Sequence, residues 1–85
     1  MHYVYVIKGE RNKHIYVGNT NDLERRIAEH NRGSIYSTKK YGPFKLVYYE
    51  AYLDKTDALN REHKLKHHGS VIGHLKRRLR NSLAK

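Results

Sequence analysis

Five apolar or aromatic residues, Tyr3 to Ile7, stand in a row with nothing polar between them. A run without the in/out alternation of a half-exposed strand predicts one covered on both faces, and therefore central in its sheet. After the polar stretch KGERNK, Ile15 to Gly18 predicts a second short strand that pairs with the first as a hairpin. Asn21 predicts a helix cap with Glu24 three residues on, the spacing of a capping box. Leu23 and Ile27 supply that helix's apolar stripe, and Gly33 its stop. Residues 34–45, SIYSTKKYGPFK, mix hydroxyl and basic side chains with a Gly-Pro pair and predict an exposed loop. Leu46 to Leu53 predicts a third strand, largely apolar or aromatic on both rows. Asp54 or Thr56 opens a second helix that Gly69 ends. A third helix begins near Ser70, with Val71, Ile72, Leu75, Leu79 and Leu83 on one stripe and Lys76, Arg77, Arg78 and Arg80 opposite or beside it.

The order β-β-α-β-α-α predicts an α+β fold, a three-stranded antiparallel sheet flanked by helices. The 85 residues make one domain, 1–85, with a basic C-terminal helix and no internal repeat. Eighteen Lys and Arg against eight Asp and Glu leave a formal charge of +10, which changes the expected partner more than the expected fold. A polyanion fits this excess; a surface made basic for solubility alone is the plainer alternative. Cysteine is absent, which excludes disulfides and thiolate metal sites and fits a reducing compartment. Tyr3 to Ile7 is too short for a signal-peptide core or a membrane span, so the expectation is cytoplasmic, with no membrane partner. The leucine stripe of the last helix suits either the core or an anionic lipid surface.

Three sets of residues could carry chemistry. Arg26 and His30 are four apart on a helix, so their tips could share one small anion or form a solvated basic edge. Glu62 lies four residues after Ala58, three after Leu59 and three before Leu65, on the apolar side of its helix. A carboxylate there must be paired or must bind a cation; Arg26, Lys66 and Arg61 are the candidate partners. Tyr5 and Tyr16 stand out among eight tyrosines because they sit on the hairpin that leads into the Arg26 helix. Gly18, just beyond, lets a backbone or ligand approach, or simply turns the chain. His63, His67, His68 and His74 resemble a zinc cluster, but their basic neighbours would repel a dication, and they are read as part of the basic surface.

The ordered blocks Tyr3-Val4-Tyr5, Tyr16-Val17-Gly18, Leu23-x-x-Arg26-x-x-x-His30-Asn31 and Ala58-Leu59-x-x-Glu62-x-x-x-Lys66 resemble the GIY-YIG endonuclease superfamily, most closely its small single-domain bacterial members. The resemblance implies a metal-dependent endonuclease that hydrolyses DNA phosphodiester bonds with low intrinsic sequence specificity. It implies catalytic roles for Tyr5, Tyr16, Arg26, His30 and Glu62, with Glu62 holding magnesium, or manganese in its place, and no small-molecule cofactor. Tyr5 is the first choice for the group that takes a proton from the attacking water; Tyr16 and His30 could instead orient it. Three departures accompany the match. Tyr3 stands where the first motif has glycine, Val17 stands where the second has isoleucine, and a late polar residue, often asparagine, has no counterpart. A nucleic-acid-binding module of the same fold with little or no turnover is the alternative. The basic excess makes Lys39, Lys40, Lys66, Lys76, Arg77 and Arg80 candidate phosphate contacts, with binding that weakens as salt rises. DNA repair is an expectation by analogy of fold alone, and no sequence feature specifies an oligomeric state.

Overall fold

The uninterrupted run at the start of the chain does become the central strand. In the computed structural model, which describes all 85 residues, β1 (His2–Gly9) lies between β2 (Ile15–Thr20) and β3 (Phe44–Tyr52). Both pairings are antiparallel, with Tyr5 opposite Gly18 on one side and Tyr49 on the other. Helix α1 (Leu23–Asn31) follows β2, and α2 (Lys55–His67), α3 (Gly69–Arg78) and α4 (Arg80–Leu83) follow β3. No helix is long and apolar enough to cross a membrane.

Side-chain alternation along β1 divides the interior into two cores. Val4 and Val6 join Val17, Ala58, Leu65, Leu75 and Leu79 beneath α2 and α3. Tyr5 and Ile7 face the other way and join Phe44, with Tyr16, Leu23 and Ile27 packed against them under α1. Each core is small, so each strand residue that enters it is fully or nearly fully covered. The leucine stripe of the last helix is spent on the first core, where Leu75 and Leu79 are buried, and is not free to meet lipid.

Four local expectations are corrected. The cap of α1 is Asp22, whose side chain accepts from the Arg25 amide at 3.1 Å; the helix starts one residue later than the Asn21–Glu24 spacing suggests. Gly33, at φ +76°, does close that helix, but Gly69 does not close α2. His68 leaves the helix in an extended conformation and Gly69 opens α3. The final helix breaks at Leu79, and the short α4 packs against β3. The loop expected to be exposed over residues 34–45 holds the buried Thr38 and ends on the buried Phe44, which already belongs to β3.

A polar cluster fixes α2 against β3. The Glu50 carboxylate accepts from Arg61 Nε and Nη2, both at 3.0 Å on its nearer contacts, and from the hydroxyls of Tyr48 and Tyr52. Burial pushes the Glu50 carboxyl up, but hydrogen bonds from Arg61, Tyr48 and Tyr52 outweigh it and hold the group below its ordinary value. Burial first, and then the adjacent carboxylate, drive both phenols up to about 12. A depressed carboxyl contributes stability above its unfolded pKa and loses it as pH falls through the folded one. The melting temperature is therefore expected to fall on the acid side of the ordinary glutamate range, and Glu50→Gln should flatten that fall. At neutral pH Glu50→Ala should cost about 2–3 kcal/mol, because it strands a half-buried guanidinium. Thermal melts of the variants between pH 3 and 7 check both.

Candidate active site

Strand β2 is an edge strand, and the candidate site is built around it. Its residues alternate, so Tyr16 and Gly18 face α1 while Val17 and Asn19 face α2. On the α1 side, Tyr5 reaches across from β1 into the space left by Gly18. A Cβ at position 18 would lie against the Tyr5 hydroxyl, 2.5 Å from its Cζ and 3.0 Å from Cε2 of Tyr16. Tyr5 and Tyr16 pack with ring centroids 6.4 Å apart, and Tyr16 meets the His30 ring edge-on at 5.2 Å.

Tyr5 has no accessible surface and His30 only 1%. The Tyr5 hydroxyl lies 2.7 Å from His30 Nε2, and His30 Nδ1 lies 2.7 Å from Thr38 Oγ1. Arg26 donates from Nε to the Tyr5 oxygen at 3.4 Å and from Nη1 to Glu29 at 3.2 Å, leaving Nη2 without a protein partner. Burial raises the Tyr5 phenol to about 12 despite the opposing Arg26 guanidinium. Burial, and then the charge of Arg26, lower the His30 imidazole, which is therefore neutral near pH 7.

Two expectations change here. Arg26 and His30 do not share a wet edge: Arg26 turns toward solvent, while His30 turns inward to bond Tyr5 and Thr38. Tyr5, the first choice for contact with the attacking water, is sealed from water, whereas Tyr16 is only half-buried.

On the α2 side, Glu62 is indeed half-buried, its side chain 15% exposed. Of the three cations considered, Lys66 is its partner, at 3.0 Å from Oε2. Arg26 is taken by Glu29 and Arg61 by Glu50. Oε1 accepts from Asn19 Nδ2 at 2.7 Å, a contact that sequence reading did not find. Its only signal was that position 19 shares a strand face with the core residue Val17. Leu59, counted on the apolar side of α2, is 41% exposed, so the buried stripe narrows to Ala58 and Leu65 and Glu62 sits at its border.

The Lys66 ammonium also lies 5.2 Å from the Tyr16 ring centroid, which brings the carboxylate and the phenol within reach of one cation across the strand edge. Arg26 and Asn19 line a polar cleft of about 280 Å³ beside them. A divalent cation that takes oxygen ligands needs only one or two protein carboxylates. Each Glu62 oxygen has one protein partner, and the Lys66 side chain, 36% exposed, has room to swing away. The Asn19 carbonyl oxygen is also without a protein partner. The donor set fits magnesium or manganese.

The six candidate phosphate contacts are not brought into one patch. Lys66 and Lys76 line a groove next to Tyr16, whereas Arg77 lines another with Arg61 and Arg78. Lys39, Lys40 and Arg80 are exposed outside both grooves. His63, His67, His68 and His74 are exposed, with His63 and His67 rings 4.5 Å apart.

This sheet, with tyrosines from both hairpin strands beside an arginine of the first helix and a glutamate of the second, has the architecture of a nuclease-type catalytic domain. The model of the GIY-YIG catalytic domain matches residues 1–71, and the chain belongs to the GIY-YIG family. It is 43% identical over 67 residues to a UPF0213 protein of Clostridium perfringens, covering 78% of this chain and 71% of that one. A UPF0213 protein of the archaeon Haloquadratum walsbyi is 39% identical over 66 residues, covering 76% and 73%. The solution NMR structure of a UPF0213 protein from Bacillus halodurans matches at 37% identity and a TM-score of 0.48, over 78% of this chain and 70% of that one.

Proposed function

We propose that the protein is a divalent-metal-dependent endonuclease that hydrolyses DNA phosphodiester bonds, with residues 1–85 acting as one nuclease domain whose C-terminal helices add basic surface. The observation that carries this reading is the gathering of Glu62, Tyr16 and Arg26 around one strand edge, with Lys66 between the first two. Family membership supports it.

Glu62 would hold the metal, with the Asn19 amide fixing the carboxylate's orientation. Once bound, the cation supplies charge neutralisation at the phosphoryl oxygens. Arg26 directs its free Nη2 end at the non-bridging oxygens, where a planar fork suits the growing charge. Tyr16 orients the attacking water and takes its proton while passing its own to solvent. The Lys66 ammonium offsets the charge on the phenol oxygen. Tyr5 and His30 stay inside and hold Arg26 in place. Lys66 and Lys76 meet phosphates flanking the cleavage point, without reading bases.

A second reading has one observation in its favour. The Lys66 ammonium already neutralises Glu62, as suits a nucleic-acid-binding module that has lost turnover. Incubating the purified protein with supercoiled plasmid and with linear duplex, in magnesium, in manganese and in EDTA, separates the two. Nicking that appears with metal and vanishes with EDTA is expected; binding without nicking in either metal would favour the module.

A further inference from the structure

Most of the chain from Ser34 to Gly42 is exposed, yet Thr38 in its middle has no accessible surface. Its backbone is held by turn hydrogen bonds, from Thr38 N to Ile35 O at 3.2 Å and from Tyr41 N to Thr38 O at 2.9 Å. Its hydroxyl is spent on one side-chain partner, His30 Nδ1, at 2.7 Å. We propose that Thr38 is a positioning residue that locks His30 in the Nδ1–H tautomer, so that Tyr5 donates to His30 and turns its lone pairs toward Arg26.

The proton count gives the direction of each bond. Arg26 Nε can only donate, so the Tyr5 oxygen accepts there. Tyr5 is sealed from water, and the other group at its hydroxyl is His30 Nε2, so the phenol proton must go to that nitrogen. Nε2 is then an acceptor, the ring proton is on Nδ1, and it is donated to Thr38 Oγ1. No buried side-chain polar atom is left without a partner in this arrangement. In the opposite tautomer the phenol proton would have no acceptor, at the cost of an unsatisfied buried donor. The chain runs from the segment that carries Lys39 and Lys40, through Thr38, His30 and Tyr5, to the guanidinium whose Nη2 faces the cleft.

Long-range proton–nitrogen NMR correlation spectra read the tautomer directly, with the His30 signals assigned by their loss in His30→Gln. Wild type and Thr38→Ser are expected in the Nδ1–H form, and Thr38→Val in a mixture or in the Nε2–H form. An Nε2–H ring in wild type, or an unchanged ring in Thr38→Val, would overturn the proposal. Should Thr38→Val fail to fold, Tyr5→Phe decides. With the phenol hydroxyl gone, the ring stays Nδ1–H if Thr38 holds it, and loses that preference if Tyr5 alone does. The activity arm rests on the nuclease reading: Thr38→Val should slow cleavage about tenfold or more at unchanged DNA affinity, with Thr38→Ser restoring it. A wild type that does not cleave would count against the nuclease reading, while the spectra would still decide the role of Thr38.

Discussion

Glu62→Ala will remove metal-dependent cleavage, by about a thousandfold or more, while DNA affinity stays within about threefold of wild type. A thousandfold corresponds to about 4 kcal/mol at the transition state, a reasonable share for the carboxylate that anchors the metal. Folding should survive the change. Glu62 stands at the border of its helix's apolar stripe, its pair with Lys66 is an i, i+4 contact on a partly exposed surface, and such pairs contribute only about 0.3–0.5 kcal/mol. Removing the carboxylate also frees the Asn19 amide, which keeps access to solvent. Rates and affinities are to be measured on the same preparations, with circular dichroism as the check on folding. A variant that nicks DNA as fast as wild type would end the metal assignment.

Gly18→Ala should damage both stability and cleavage, although it adds a single methyl group. The reason is space rather than backbone conformation, since Gly33 alone has a positive φ. The new Cβ would lie 2.5 Å from Tyr5 Cζ and 3.0 Å from the Tyr16 ring. Tyr5 cannot yield easily, because His30, Thr38 and Arg26 hold its hydroxyl in place. Overpacking of this kind costs about 2 kcal/mol, which in a chain of this length lowers the melting temperature by roughly 10 °C. Cleavage falls as well, because the methyl group displaces both tyrosines. Gly73→Ala is the control: nothing lies within 4 Å of its added Cβ, and the residue is inside α3, so it should gain about 0.5–1 kcal/mol. Equal melting temperatures for the two variants would refute the steric account.

The spacing of Tyr5, Tyr16, Arg26 and Glu62 was legible because each lies on an element with a strong local pattern. The capping residue, the end of α2 and the break at Leu79 were less so, because helix termini are set by side chains competing over one or two positions. Thr38 offered no signal at all. A threonine among lysines in a Gly-Pro loop reads as exposed, and only His30, turned in from another element, gives its hydroxyl a reason to be buried. The partner of Glu62 was open among three cations at the level of sequence, and the i, i+4 neighbour took it once Arg26 and Arg61 found nearer acids.

What the sequence by itself determined is the order of elements, the central place of β1 and the family to which the chain belongs, because contiguous apolar runs, helical stripes and ordered motif spacings are local properties. Only the tertiary structure decided that Tyr5 and His30 are sealed inside, that Tyr16 is the tyrosine open to water, and that Asn19 and Thr38 take part. Those outcomes depend on contacts between residues as far apart as Asn19 and Glu62, 43 positions along the chain, and form only when α1 and α2 close over opposite faces of one strand.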